Sequence, residues 1–206
     1  MQYKALLIDL DGVLRKWRSS DESIEGLYGL PIGSIREIAF SPELVEPAIT
    51  GAISDEQWRA RIAEKLGYKF GAARAVDAVA EWASYTGKVD EMTLSLLSAC
   101  HSSLRLVLVT NATSRLPQDL LALGLSEHFY AVVNSSQVGA AKPGKEIFRV
   151  ALERSGATPA QALFIDDTAA NVGSASSLGI LSHEFAGHQG MSEFLRQAGV
   201  LRAEAL

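Results

Sequence analysis

Five short apolar runs, set apart by longer stretches of mixed sequence, limit the folds open to this chain more than any other feature. The runs are ALLI at 5–8, LRLVLV at 104–109, YAVV at 130–133, ALFI at 162–165 and GILSHEF at 179–185. Their apolar residues are mostly continuous rather than alternating, which is typical of strands covered on both faces. Helical patterns fall between the later runs, at 115–123, 144–155 and 168–178. This alternation predicts an α/β fold with a parallel sheet of about five strands flanked by helices.

The interval between the first two runs is far longer than one crossover connection needs, and it shows no convincing strand pattern. Within it, SDEQWRARIAEKLG at 54–67 starts with Ser54 and Gln57 in capping-box spacing and ends at a glycine. Residues 42–50 and 71–84 also have helical patterns. We therefore predict an α-helical cap, residues 16–86, inserted into an α/β core formed by residues 1–15 and 87–206, with a core helix near 89–101.

Charge and composition exclude several classes of function. The net charge of −5 argues against a nucleic-acid partner, which requires neutralisation of phosphates by basic residues. No apolar run is long enough to span a membrane, and the first run is too short for a secretory signal sequence. A single cysteine excludes an internal disulfide. We therefore expect a cytoplasmic monomer or homodimer that binds neither nucleic acid nor membrane.

Polar residues follow four of the predicted strands, where parallel α/β sheets bind their ligands. They are Asp9 and Asp11, Thr110 and Asn111, Lys142 in a loop, and Asp166 and Asp167. Several carboxylates in one cleft repel each other and require a cation, and Mg²⁺ prefers hard oxygen ligands. One aspartate can attack phosphorus while a second transfers protons. A hydroxyl and an ammonium group can neutralise the charge on a transferring phosphoryl group.

Four segments carry a resemblance to a known family. DLDGVL, LVTNAT, AAKPGKEIF and FIDDTAANV resemble, in order and spacing, the four motifs of the haloacid dehalogenase superfamily. The helical insertion after the first motif resembles the superfamily's type 1 cap. The resemblance covers the whole chain, and it implies a Rossmann-like parallel sheet with the cap inserted.

The resemblance also implies a role for each motif residue. Asp9 would be the nucleophile and a Mg²⁺ ligand, and Asp11 the general acid/base, which also binds Mg²⁺ through its backbone carbonyl. Lys142 would pair with Asp9 and with the phosphate. The remaining roles are phosphate binding by Thr110 and Asn111 and completion of the metal site by Asp166 and Asp167.

The choice of reaction depends on two departures from near relatives. The founding dehalogenases lack the second aspartate, here Asp11, and its presence favours phosphoryl transfer over carbon–halogen cleavage. LRKW follows DGV where sugar phosphomutases often have an Asp-Thr or similar pair, which favours a phosphatase. We expect a Mg²⁺-dependent phosphatase for a small phosphorylated metabolite, with an aspartyl-phosphate intermediate. A sugar phosphomutase and a non-catalytic metal- or phosphate-binding regulatory protein are the alternatives.

The substrate is less readable than the reaction. The insert GLPIGSIREIAFSPELVEPAITGAISDEQW loosely resembles the cap of a branch that includes sugar-phosphate phosphatases and the N-terminal domains of epoxide hydrolases. A sugar phosphate is therefore one candidate. Arg15 and Trp17, next to the first motif, are candidate substrate contacts, whereas Trp58 is expected to pack one cap helix on another. Asn171, early in the helix after Asp167, is either a support for the acidic cluster or a surface residue.

Overall fold

A computed structural model of the protein describes residues 3–17 and 21–202, and a parallel sheet lies at its centre. Within those residues the strands are β1 (Ala5–Ile8), β2 (Arg15–Lys16), β3 (Lys88–Val89), β4 (Arg105–Thr110), β5 (Ala131–Asn134), β6 (Ala162–Asp166) and β7 (Leu181–Glu184). Five of them form one parallel sheet in the order β5-β4-β1-β6-β7. The predicted fold class is confirmed, and each predicted apolar run contains one strand of this sheet.

Helices account for most of the remaining described chain. They are α1 (Asp21–Leu27), α2 (Ser34–Ala39), α3 (Pro42–Ile49), α4 (Asp55–Phe70), α5 (Ala72–Ser84), α6 (Glu91–Ser98), α7 (Leu116–Ala122), α8 (Ser135–Val138), α9 (Lys145–Ser155), α10 (Ala169–Ser177) and α11 (His188–Gln197). A short 3₁₀ helix, Pro159–Gln161, leads into β6. None of the described helices combines the length and the apolar character that crossing a membrane requires.

Both faces of the sheet are buried, which explains why the strands lack alternating polarity. Leu6 and Ile8 of β1 face one apolar cluster, which also contains Leu97 of α6 and Leu195 of α11. The intervening residues of β1 face a second cluster, to which α9 contributes Phe148. Side chains on either face of these strands therefore contact apolar residues, and each strand has a continuous run of apolar residues in the sequence.

The five helices α1 to α5 enclose an apolar cluster of their own, separate from the two clusters on the sheet. Trp58 lies in this cluster, as expected, and its Nε1 donates a hydrogen bond to the Ala39 carbonyl at 3.1 Å. Ser54 and Gln57 form the predicted capping box at the start of α4. Burial of their apolar faces against one another is what holds these short helices in place.

A two-stranded antiparallel ribbon joins the helical insertion to the core, in an interval where no strand was predicted. In this ribbon Arg15 pairs with Val89 and Lys16 with Lys88. Strands of two residues show no periodicity, so sequence alone could not indicate them. Residues 1–2, 18–20 and 203–206, which the predicted domains include, lie outside the described residues.

Candidate active site at the carboxyl edge of the sheet

Asp9 and Asp166 lie side by side at the carboxyl edge of the sheet. β1 and β6 pair in register with Ile8 opposite Ile165, and the Asp9 N–H donates to the Ile165 carbonyl at 3.0 Å. One carboxylate oxygen from each of Asp9, Asp166 and Asp167 lies within 4.8 Å of the other two. Asp9 and Asp166 are buried, whereas Asp167 is exposed. The strand ends thus bring three of the predicted site residues together.

Lys142 lies between two of these carboxylates. Its Nζ is 2.7 Å from Asp9 Oδ1 and 2.6 Å from Asp166 Oδ2, and its side chain is 1% exposed. We call these four residues the acidic rim: Asp9, Lys142, Asp166 and Asp167. Burial raises the pKa of Asp9 to about 7; Lys142 opposes this rise and Asp166 adds to it. One ammonium group therefore does not fully compensate the buried carboxylates.

The acidic rim has the donor set that a hard divalent cation requires. With all three carboxylates ionised and Lys142 charged, the rim has an excess of two negative charges. Mg²⁺ is typically held by one or two carboxylates together with water and substrate phosphate. The residues present therefore fit a Mg²⁺ site, in which Asp9, Asp166 and Asp167 would supply the protein ligands.

The start of α10 holds Asp166 in place. Asp166 Oδ1 accepts hydrogen bonds at 2.9 Å from both the Thr168 N–H and the Asn171 Nδ2. Asn171 thus supports the acidic cluster, one of the two roles considered for it. The N-terminal cap position of α10 is occupied by Thr168, so neither Asp166 nor Asp167 serves mainly as the helix cap. Every polar atom of the Asp166 carboxylate has a partner, which offsets the cost of burying it.

Gly12 permits the close approach of the first loop to Asp167. Its φ is 84°, a left-handed conformation that favours glycine. A Cβ placed on Gly12 would lie 1.9 Å from Asp167 Oδ2. The glycine after the second aspartate is therefore required both by the backbone conformation and by the position of a rim carboxylate.

Thr110 and Asn111 have different surroundings although they are adjacent. Thr110 is fully buried, and its Oγ1 has no hydrogen-bond partner among the described residues. An orphaned hydroxyl is costly unless a ligand satisfies it, which suits a phosphoryl oxygen. Asn111 clamps the backbone of Lys142: its Oδ1 accepts from the Lys142 N–H at 2.8 Å, and its Nδ2 donates to the Lys142 carbonyl at 2.9 Å. Its expected phosphate contact stays a prediction.

Asp11 is held by two neighbours outside the acidic rim. It accepts hydrogen bonds from Arg15 Nε at 2.6 Å, from Arg15 Nη2 at 2.9 Å and from Trp17 Nε1 at 2.7 Å. Arg15 Nη1 pairs with Asp119 at 2.9 Å, and Arg15 is 3% exposed. The guanidinium of Arg15 is buried in two ion pairs and holds Asp11, while Arg15 also lines the neighbouring cavity, so its expected substrate contact stays a prediction. Trp17 is half exposed beside them.

A cavity of about 320 Å³ opens next to Asp11, between the helical insertion and the sheet edge. We call it the cap cavity. From the core, the loops around Asp11, Asn111 and Arg115 line it. From the insertion it is lined mainly by aromatic and arginine side chains, which are Arg36, Phe40, Trp58, Arg59 and Trp82. The insertion closes over the core through Asp55, which accepts from Thr113 Oγ1 at 2.8 Å.

Sequence reasoning missed several residues that shape this region. Asp119, in the middle of α7, binds both Arg15 and Arg115. It looked like an ordinary helical acid, because its partner Arg15 is 104 positions away. Asn134 and Ser135, which follow the strand end at β5, bond to the Thr113 carbonyl and to the Ala112 N–H, respectively. Their position directly after an apolar run was a usable signal, the same one that identified Asp9.

Comparison with known proteins agrees with this arrangement. Pyrimidine 5′-nucleotidase YjjG of Escherichia coli is 40% identical over 78 residues, which are 37% of this chain and 35% of that protein. The matched segments span only about a third of the curated relatives' own lengths. A haloacid dehalogenase family enzyme of Bacteroides thetaiotaomicron, solved with magnesium and inorganic phosphate, has a TM-score of 0.71 at 26% identity, covering 88% of this chain and 93% of that one.

The same fold also serves a different reaction. L-2-haloacid dehalogenase of Xanthobacter autotrophicus has a TM-score of 0.65 at 20% identity, covering 99% of this chain and 86% of that one. This likeness concerns the fold alone. The model of the haloacid dehalogenase-like hydrolases matches residues 3–179, which include the acidic rim, the Thr110 loop and the helical insertion. The chain therefore belongs to the haloacid dehalogenase-like hydrolase family.

Proposed function

We propose that the protein is a Mg²⁺-dependent phosphatase that hydrolyses a small phosphate monoester through a phosphorylated Asp9. The observation that carries the proposal is the acidic rim, in which Lys142 joins Asp9 and Asp166 within 2.7 Å. The buried and unpartnered hydroxyl of Thr110 ends the neighbouring strand β4. Together these groups support the binding of a phosphoryl group next to a carboxylate nucleophile.

The chemistry follows from the placement of each side chain. A carboxylate oxygen of Asp9 attacks phosphorus, and the bond from phosphorus to the ester oxygen breaks. Asp11, held by Arg15 and Trp17 at the mouth of the cap cavity, donates a proton to the leaving oxygen. Asp11 then accepts a proton from the water that hydrolyses the aspartyl-phosphate, which restores Asp9 and releases inorganic phosphate.

Lys142 and Thr110 act on the transferring group. The Lys142 ammonium and the Thr110 hydroxyl offset negative charge on the phosphoryl oxygens, as preorganised donors in a buried site do most effectively. Mg²⁺, when bound by Asp9, Asp166 and Asp167, would supply further charge neutralisation and help to orient the phosphate. The Bacteroides relative, solved with magnesium and inorganic phosphate, supports this choice of metal and anion.

We also propose that residues 16–86 are the unit that selects the substrate. Helices α1 to α5 have their own apolar cluster, and residues 16–86 supply more than half of the residues that line the cap cavity. The two passages of the chain between this unit and the core pair with each other in the ribbon of β2 and β3. The core would then fix the reaction, while the insertion determines which leaving group fits.

The proposal is tested with purified protein and a panel of phosphate monoesters. Inorganic phosphate should be released with Mg²⁺ and not with excess chelator, and Asp9→Asn should lower turnover by at least about 10³-fold. Asp77→Asn, an exposed acid on α5, is the matched control and should be fully active. Rapid acid quenching should trap phosphate bound to the wild-type protein and none bound to Asp9→Asn.

Other results would point to the alternatives. Return of the phosphate to another position of the same sugar would indicate a phosphomutase. Halide release from a 2-haloacid without metal would indicate a dehalogenase. Full turnover by Asp9→Asn would contradict the proposed nucleophile, and Mg²⁺ binding without turnover of any ester would favour a regulatory binding protein.

A further inference from the structure

All three tryptophans of the chain line the cap cavity. They are Trp17 from the first loop, Trp58 from α4 and Trp82 from α5, and they come together from distant parts of the sequence. Phe40 and Tyr85 also line it. These five aromatic residues give a cavity of about 320 Å³ an extended aromatic wall, against which a flat ring on a ligand can pack.

The aromatic rings meet edge to face rather than stacked on one another, and arginine guanidinium groups lie over one face of Trp17 and of Phe40. Trp58 and Trp82 have centroids 5.8 Å apart at 60°, and Phe40 and Trp82 have centroids 6.5 Å apart at 83°. Trp17 and Tyr85 are 5.9 Å apart at 71°. Rings that are not stacked on each other can stack on a ligand, and base-to-aromatic stacking tolerates many ring types.

Charge in the cap cavity is already balanced. Among the described residues that line it, every arginine is paired with an aspartate: Arg15 with Asp11 and Asp119, Arg36 with Asp21, Arg59 with Asp55, and Arg115 with Asp119. A second phosphate or a carboxylate on the leaving group would therefore meet no unpaired cation among the described lining residues. An uncharged leaving group avoids this cost.

One polar group in the lining lacks a partner. The hydroxyl of Tyr85 is buried and has no hydrogen-bond partner among the described residues. It lies where the chain passes from α5 into the ribbon, next to the cavity's aromatic wall. A single ring heteroatom or carbonyl on a bound ligand would satisfy it.

We propose that the leaving group of the natural substrate carries an uncharged planar ring, which binds between the tryptophans of the cap cavity while its phosphate binds at the acidic rim. This inference rests on the proposed phosphatase function and narrows it from small metabolites in general to esters of ring-bearing alcohols. It disfavours simple sugar phosphates, which have no flat apolar face of comparable size. Trp82, half buried and at the centre of the aromatic contacts, is the specificity-determining residue.

The experiment compares substrates that differ in ring flatness and share a primary alcohol as leaving group. Benzyl phosphate carries a planar ring, and cyclohexylmethyl phosphate carries a puckered ring of the same size. The kcat/KM for benzyl phosphate should exceed that for cyclohexylmethyl phosphate by about tenfold or more, the scale expected of one stacking contact. A carboxylate in the para position of the benzyl ring should remove this advantage.

A variant locates the effect in the cap cavity. Trp82→Leu should lower kcat/KM for benzyl phosphate about tenfold and leave acetyl phosphate, which has no ring, within about twofold. Tyr68→Leu is the matched control, because Tyr68 is an aromatic residue of the same insertion that is 95% exposed and lies outside this cavity. Should Trp82→Leu fail to fold, quenching of wild-type tryptophan fluorescence by benzyl phosphonate and cyclohexylmethyl phosphonate measures the same preference by binding.

Each outcome has a distinct meaning. Equal kcat/KM for the flat and the puckered ring, or an unchanged preference in a folded Trp82→Leu protein, would overturn the inference. Hydrolysis of a ringless monoester such as ethyl phosphate, with neither ring ester accepted, would also overturn it and leave the phosphatase proposal standing. If no ester were hydrolysed, the phosphatase proposal would fail. Fluorescence would then decide the inference alone, with tighter binding of the benzyl phosphonate supporting it.

Discussion

The acidic rim and the cap cavity adjoin each other, yet they are built in opposite ways. The rim consists of charged groups on strand ends and their following loops, with Asp166 fully buried and each of its oxygens partnered. The cap cavity is lined by side chains from helices and loops, where Phe40 and Trp17 are about half exposed and arginines form ion pairs around aromatic rings. Around the buried rim residues Asp9, Lys142 and Asp166 a displaced atom has little room to adapt, whereas the cavity wall can repack.

This difference separates two kinds of effect. A change in the rim should alter the reaction for every substrate by the same factor, because it acts on the phosphoryl group that all substrates share. A change in the cavity wall should alter substrates selectively, because it acts on the leaving group. Substitutions at the rim, at the junction and at the border between the two regions test this division.

The largest effect is expected from Lys142→Met. It removes the ammonium between Asp9 and Asp166 and keeps much of the apolar volume, so turnover should fall about 10³-fold. Steady-state kinetics with benzyl phosphate and acetyl phosphate should give the same factor. Lys145→Met, an exposed lysine at the start of α9, should leave both rates unchanged. A loss confined to one substrate would contradict the division between rim and cavity.

A smaller effect, on the free energy of unfolding, is expected at Asp90, where the helical insertion joins the core. Asp90 accepts from the Thr93 N–H at 3.0 Å and from His188 Nε2 at 2.9 Å, and it pairs with Lys16 in the ribbon. Burial raises the pKa of Asp90, but these partners lower it more, to about 2. A carboxyl with a depressed pKa stabilises the fold above its unfolded pKa, and this contribution is lost as the pH falls towards its folded pKa.

Asp90→Asn should therefore lower the free energy of unfolding by about 2 kcal/mol at pH 7. The difference from the wild type should shrink by roughly half at pH 3, because the wild-type carboxylate then loses its advantage. Urea denaturation at both pH values measures this, with the exposed neighbour Glu91→Gln as control. A difference that does not vary with pH would mean that Asp90 acts only as a helix cap, which asparagine also provides.

Arg15 lies on the border, and its substitution tests whether it belongs with the rim. Lysine cannot reproduce the two-pronged contact with Asp11 while also reaching Asp119. In Arg15→Lys we expect kcat to fall about tenfold for every ester, because Asp11 is then held less firmly for proton transfer. Arg36→Lys, whose loosely paired arginine lines the cavity from the insertion, should alter KM selectively at most. If the loss in Arg15→Lys differed between substrates, Arg15 would be a substrate contact rather than a positioning residue for Asp11.

The rim was predictable because its residues follow directly after strands that the sequence shows clearly. Continuous apolar runs located β1, β4 and β6 to within a residue. Because these strands pair in register, Asp9, Thr110 and Asp166 at their carboxyl ends lie at the same edge of the sheet. The placement of Lys142 in a loop could be inferred only from the motif around it. Its geometry depends on Asn111, a clamp that no local pattern indicates.

The cavity wall was not predictable for a physical reason. Its contacts join residues that are far apart in the sequence, such as Arg15 with Asp119 and Phe40 with Trp82, and each of these residues looks ordinary in its own segment. Aromatic side chains on cap helices have the same pattern whether they pack in a core or face a ligand. Trp58 does both, since it lies in the apolar cluster of the insertion and lines the cavity.

The smallest effect is expected from Gly12→Ala, which compares two glycines with similar backbone. Gly12 and Gly124 have φ of 84° and 70°, so alanine at either should cost about 1 kcal/mol of stability. Only at Gly12 does the added Cβ meet a side chain, Asp167 Oδ2, while nothing lies within 4 Å at Gly124.

Because Asp167 is exposed, it can rotate away, which would remove one of the three proposed Mg²⁺ ligands. Gly12→Ala should thus bind Mg²⁺ about fivefold more weakly by calorimetry, roughly 1 kcal/mol. Equal Mg²⁺ affinity in the two variants would remove Asp167 from the metal site and leave Asp9 and Asp166 as its protein ligands.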